Sequence, residues 1–175
     1  MAATKPTLDA LNSGGRDAFV GVLGHLFEHS PWVAEETYGR RPFKDADALH
    51  AALCATMRGA PLERRLALVR AHPDLAGRLA QAGQLTAAST GEQSAAGLDR
   101  LSPAEAAEIQ SLNDAYRERF GFPFVICARL NAKGAILAAM RARVANQPFA
   151  ELSTALDEIA KIARLRLNDT LMKET

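Results

Sequence analysis

Ser102–Phe120 reads SPAEAAEIQSLNDAYRERF. Ser102 is placed as an N-cap, Pro103 falls at the first helical position, and Glu105 stands in the first turn. The stretch is predicted to be a helix that stops where GFPF (121–124) begins. Outward from it, other segments show the same helical spacing. RDAFVGVLGHLFEH (16–29) sets Phe19, Val22, Leu23, Leu26 and Phe27 on one stripe, ended by SPW. Leu49, Leu53 and Met57 mark a second helix, closed by RGAP. PLERRLALVRA (61–71) is a third. PDLAGRLAQAG (73–83) is a fourth, with Gly83 as its C-terminal stop. GAILAAMRARVAN (134–146) and PFAELSTALDEIAKIARLRLNDTLM (148–172) complete the set. Strand signals are nearly absent. FPFVICARL (122–130) is partly β-branched, but Pro123 and its short length make it a buried loop leading into a helix. The expectation is an all-α protein, a single compact domain of roughly seven to nine helices, with residues 15–175 forming the domain and 1–14 a flexible N-terminal segment.

The chain has 175 residues, enough to bury a real core. Hydrophobic residues make up 48%, charged residues 23%, and the formal net charge is +1. That balance gives no electrostatic footprint for nucleic acid or an anionic membrane. Two cysteines, Cys54 and Cys127, make no disulfide framework. The start, MAATKPTLDALNSGG, has no apolar signal core, and no run is long enough to span a bilayer. A soluble cytoplasmic protein with no nucleic-acid or membrane partner is expected.

Candidate chemistry starts at His72, in VRAHPDL. The residue before a proline is pushed out of the helical region. One helix should therefore end near Ala71, and Pro73 can open the next. His72 would sit at the corner, either as a solvated turn histidine or as a proton-transfer group held in place. HLFEH (25–29) matches the His-x-x-Glu-His form of some zinc hydrolases. On a helix His25 and His29 would share a face, but a catalytic zinc needs a third protein ligand, and none is evident. The competing reading is a helix end stopped by Ser30-Pro31. STGEQ (89–93) has the capping-box form, Ser89 with Glu92. Glu92 could instead face a pocket with His72, and Gln93 could offer both a donor and an acceptor to an amide-like substrate. Arg166, flanked by Leu165 and Leu167, is either a salt-bridge partner or a planar fork for a carboxylate or ureido group. The apolar loop at 122–130 must find partners for its buried backbone, and a ligand is one source.

The order of SPWV (30–33), RPF (41–43), HPDLAGRLA (72–80), LTAASTGEQSAAGLD (85–99), LNDAYRERFGFPFVICAR (112–129) and EIAKIARLRLNDTL (158–171) resembles the OHCU decarboxylase family. These enzymes of urate breakdown act on 2-oxo-4-hydroxy-4-carboxy-5-ureidoimidazoline. The resemblance implies an all-helical fold, usually a homodimer, and conversion of OHCU to (S)-allantoin and carbon dioxide with no metal and no organic cofactor. It places the catalytic histidine at His72, with Glu92 and Arg166 beside it in the reaction. Pro73, Ser89 and Gln93 fall at substrate-binding positions, as does the loop Phe124, Val125, Ile126, Cys127 and Ala128. Gly91 stands where relatives often carry a longer side chain, which is expected to loosen the helix start. The chain ends in KET, without the peroxisomal tripeptide of many eukaryotic members, which favours a bacterial cytoplasmic protein. The other readings are a zinc hydrolase through HLFEH and a helical ligand-binding module without chemistry.

Overall fold

A computed structural model describes residues 5–77, 80 and 82–172. Among the described residues there are nine α-helices and no strand, as the all-α reading expects. None of these helices is long and apolar enough to cross a membrane. The chain divides into two compact units, residues 72–159 and, around them in sequence, residues 1–71 with 160–175.

The discontinuous unit holds α1 (Leu8–Ser13), α2 (Arg16–Leu23), α3 (Trp32–Thr37), α4 (Ala46–Gly59), α5 (Leu62–Arg70) and the end of α9 (Pro148–Thr170). Helix α4 starts at Asp45, whose side chain accepts from the Ala48 N–H at 2.7 Å. It buries Leu49, Leu53 and Met57, and Phe19, Leu23, Leu26, Phe27, Val33, Ala163 and Leu167 are also buried in this unit. Segment 1–14, expected to be flexible, contains α1, which buries Leu8 and Leu11. The reason lies thirty residues away. The Arg41 guanidinium donates to the carbonyls of Asn12 and Gly14, each at 2.8 Å, and lies 3.6 Å from the Tyr38 ring centre. Carbonyls left open at a helix end thus meet a fixed cation.

Helix α2 ends at Leu23, six residues short of the expected extent through His29. Gly24 to His29 form successive turns, so HLFEH is not helical. His29 takes a left-handed φ of 45°. SPW, expected to end a helix, precedes one, because Pro31 caps α3.

The continuous unit holds α6 (Ala87–Ala95), α7 (Pro103–Phe120), α8 (Lys133–Arg143) and the start of α9. Helix α7 has the predicted start: Ser102 and Glu105 form a reciprocal capping box, with Pro103 at the first helical position. The helix predicted over 73–83 partly lies outside the described residues, at 78, 79 and 81. Its start is described and differs, since Pro73 opens a turn and Ala76 adopts φ 48°.

The predicted Ser89–Glu92 capping box is also replaced. Thr86 is the N-cap of α6, accepting from the Ser89 N–H at 3.2 Å. Gly91, expected at a loose helix start, is therefore inside the helix and exposed, and a Cβ there would meet nothing within 4 Å. Gly91→Ala is expected to raise unfolding free energy by about 0.5–1 kcal/mol. Urea denaturation checks this, and an unchanged midpoint would show that glycine costs α6 nothing.

Candidate active site

Three segments of the continuous unit carry most of the predicted residues. The first follows α5, whose C-cap is Ala71. His72 is next and is buried, at 6% exposure. The residues after it are pinned from outside. Arg117 Nε donates to both Asp74 carboxylate oxygens, at 2.8 and 3.0 Å. Asn113 Nδ2 donates to the Leu75 carbonyl at 3.0 Å, and the Ala76 N–H donates to Gln93 Oε1 at 2.8 Å. The left-handed Ala76, a costly conformation for a residue with a Cβ, is thus held by a buried side chain.

The second segment is the inner face of α6. With Thr86 as cap, Ser89, Glu92 and Gln93 stand at i, i+3 and i+4 on one side of a formed helix. Ser89 and Gln93 are buried and Glu92 is half-buried. Moving the cap to Thr86 relieves Glu92 of its structural duty. Gln93 accepts through Oε1 from the Ala76 N–H, and its NH2 carries two donors.

The third segment is the loop after α7. Gly121 closes that helix in the left-handed conformation, φ 71°, which a side chain would resist. Phe122 to Cys127 are then buried without regular structure, as the sequence suggests, and lead into a 3-10 turn at Ala128–Leu130, of which Ala128 is also buried. Helix α6 packs on that turn, and its Glu92 carboxylate acts electrostatically on Cys127 in the loop. The loop's backbone was expected to take its partners from a ligand. Two of its groups are instead satisfied by protein: Arg143 Nη1 donates to the Val125 carbonyl at 2.9 Å, and the Cys127 N–H donates to Glu158 Oε2 at 2.8 Å. Burial pushes the Cys127 thiol up from its usual range, and the Glu158 and Glu92 carboxylates add to the shift. The thiol is therefore neutral at physiological pH.

Behind the loop lies a polar network. Glu151, 0% exposed, accepts from the Tyr116 hydroxyl and from Arg143 Nε at 2.8 Å, and its other oxygen accepts from Asn146 Nδ2 at 2.8 Å. The Arg143 guanidinium also lies 4.3 Å from the Phe124 ring centre. Burial raises the Tyr116 phenol above its ordinary value near 10, with the Glu151 hydrogen bond and charge adding to the effect. The folded protein therefore holds this proton more tightly than the unfolded chain. That contribution is complete below pH 10 and is lost as the pH rises beyond it. Tyr116 is expected to remove about 1.4 kcal/mol of stability per pH unit above 10. Urea midpoints from pH 9 to 11.5 check this, with Tyr116→Phe expected to show a shallower decline than the parent; parallel declines would contradict it.

Arg166 belongs to the other unit. It is 5% exposed and its Nη1 donates to Glu28 Oε2 at 2.9 Å. Its partner is therefore the carboxylate of HLFEH, which accounts for that stretch turning inward and leaving the helix. His25 Nε2 lies 3.2 Å from Thr170 Oγ1. Partial burial lowers its pKa, and the Arg166 charge lowers it further. His25 and His29 do not share a helical face. Among the described residues, no group of three or more His, Cys, Asp or Glu could hold a metal ion.

Sequence reasoning missed Glu28, Asn113, Arg117, Arg143, Glu151 and Glu158. One signal was readable: Glu151 and Glu158 are seven residues apart on the stripe that buries Leu152, Ala155 and Ile159. Carboxylates on an apolar stripe announce buried partners. A separate cavity of about 470 Å³, lined by Ala76, Leu85, Thr90, Gln93, Leu98 and Asp99 among others, shares only Gln93 with the predicted set among the described residues.

The continuous unit thus buries His72, Ser89 and Gln93, with Glu92 half-buried beside an apolar loop, groups able to bind and exchange protons with a small molecule. The comparisons agree. A sequence model of the OHCU decarboxylase family matches residues 12–168. The 2-oxo-4-hydroxy-4-carboxy-5-ureidoimidazoline decarboxylase of Haloferax volcanii is 44% identical over 96% of this chain and 98% of its own. A crystal structure of (S)-allantoin synthase superposes with a TM-score of 0.75 at 31% identity, over 95% of this chain and 54% of that one. A crystal structure of OHCU decarboxylase in the presence of (S)-allantoin gives a TM-score of 0.66 at 25% identity, over 89% of this chain and 97% of that one. The chain belongs to the OHCU decarboxylase family.

Proposed function

We propose that this chain is a carboxy-lyase that converts OHCU to (S)-allantoin and carbon dioxide. The observation that carries the reading is helix α6, which sets Ser89, Glu92 and Gln93 at helical spacing on one side and packs on the turn that ends the buried loop. Supporting it is His72, buried four residues before the Ala76 amide that Gln93 holds.

The substrate carries its carboxylate on a carbon that also bears a hydroxyl, next to a ring imine. The carbon–carboxylate bond breaks and carbon dioxide leaves. The bonding pair becomes a ring double bond as the imine π pair moves to nitrogen, which takes a proton. The resulting enol loses its hydroxyl proton, and the neighbouring carbon gains one from a single face. The imine is the electron sink, so the protein's work is binding and proton placement. His72 is assigned the proton donor and acceptor role, and Glu92 supports its exchange. Ser89, Gln93, Pro73 and the Phe124–Ala128 loop are assigned to substrate binding. Arg166 is assigned by its match to the family as a charge-assisted anchor.

A homodimer in the cytoplasm is part of the same proposal. The two cysteines, Cys54 and Cys127, are both buried and unbridged, which suits a reducing compartment.

The test is incubation with freshly generated OHCU, followed by circular dichroism. A fast signal of (S)-allantoin is expected. Product formed at the unaided rate and without handedness would favour a ligand-binding module over an enzyme.

A further inference from the structure

Two bonds fasten the centre of the 122–128 loop, one on each side of Ile126. Arg143 holds the Val125 carbonyl at 2.9 Å and Glu158 holds the Cys127 amide at 2.8 Å. Arg143 has a second reason to be where it is, since it also pairs with Glu151. Glu158 is the other anchor, and it too is buried. It is 8% exposed on a stripe shared with Ala155, Leu156 and Ile159. Taking a carboxylate out of water is expensive, and a leucine at this position would suit the stripe. The Cys127 N–H points to no helix or sheet acceptor, and the Glu158 side chain supplies one from α9. The loop it stiffens has no helix or sheet ladder to fix it.

We infer that Glu158 is a positioning residue: its carboxylate holds the Cys127 amide and so fixes the Ile126–Cys127 peptide against the substrate. The substrate role of this loop rests on the function proposed above. Displacement of a binding group by about 1 Å is enough to cost a large factor in rate.

Three variants separate reach from charge. Glu158→Gln keeps an acceptor at the same distance without the charge. Glu158→Asp keeps the charge but draws it back by about 1.5 Å, one carbon–carbon bond. Glu158→Ala removes both. The readouts are KM and kcat for OHCU and the hydrogen-exchange rate of the Cys127 amide. In Ala and Asp, KM is expected to rise about tenfold to a hundredfold, the cost of letting a substrate-binding peptide shift by about 1 Å. Amide exchange should be faster in both. Gln should recover most of the KM and most of the protection.

Parental KM and parental exchange in folded Ala or Asp would overturn the inference. So would a Gln variant as impaired as Ala in KM with its amide still protected, because charge rather than position would then matter. If Ala fails to fold, the Gln–Asp contrast decides. A parent that makes no (S)-allantoin above the unaided rate would overturn the proposed function alone, since the exchange rates still report whether Glu158 holds the loop.

Discussion

His72→Asn is expected to fold as the parent does and to lose about 10²–10⁴-fold in the initial rate of (S)-allantoin formation, the usual worth of general acid–base help. Folding should survive because the ring does not set the turn. Pro73 forbids helix at the preceding residue, and Arg117, Asn113 and Gln93 pin Asp74, Leu75 and Ala76 from α6 and α7. Asparagine also tolerates turn conformations. Activity should fall because asparagine cannot exchange a proton near neutral pH. The control is His29→Asn. His29 is exposed and left-handed, a conformation that asparagine accepts readily. Far-UV circular dichroism and melting temperature report folding. A folded His72→Asn protein with the parental rate would end the assignment of the proton-transfer role to His72. A folded but inactive His29→Asn protein would move attention to the 24–30 turns.

Glu151→Ala is expected to be the most damaging single change to stability, by about 3–5 kcal/mol. The carboxylate is fully buried and serves Tyr116, Arg143 and Asn146 at once. Removing it strands a largely buried guanidinium and a phenol, and each then bears its desolvation cost without a partner. The loss should also reach the Val125 carbonyl, because Arg143 is placed by Glu151. Urea denaturation measures the effect. A loss below about 1 kcal/mol, the scale of a surface ion pair, would show that water replaces the carboxylate.

Features written into adjacent residues were legible in the sequence. Ser102, Pro103 and Glu105 announce α7 because an N-cap is satisfied within one turn. The buried, unstructured run Phe122–Cys127 follows from Pro123 in an apolar stretch. Where two local signals compete, the sequence misleads. Thr86 and Ser89 are both N-cap residues three apart, and the earlier one takes the role, which sends Ser89 and Glu92 into the helix. What depends on distant partners is not legible locally. HLFEH has helical spacing, but Glu28 leaves it for Arg166, 138 residues on. Residues 8–13 look like a loose end until Arg41 reaches their carbonyls. The same holds for the site. His72, Glu92 and Gln93 could be picked out as candidates, whereas Glu158 and Arg143 depend on backbone atoms 31 and 18 residues away.

The discontinuous unit, residues 1–71 with 160–175, has a consequence for biosynthesis. Its first five helices leave the ribosome early, but the segment bearing Ala163, Arg166 and Leu167 is made near the end. At about 5–20 residues per second, the interval between the two parts is on the order of 5–20 s. Through that interval Glu28 has no Arg166 to meet, and the 24–30 turns lack their anchor. The continuous unit, 72–159, has all its residues in hand sooner. Residues 1–71 are thus made well before the partner segment they need, and the Glu28–Arg166 pair can close only after the 72–159 stretch has been synthesised between them.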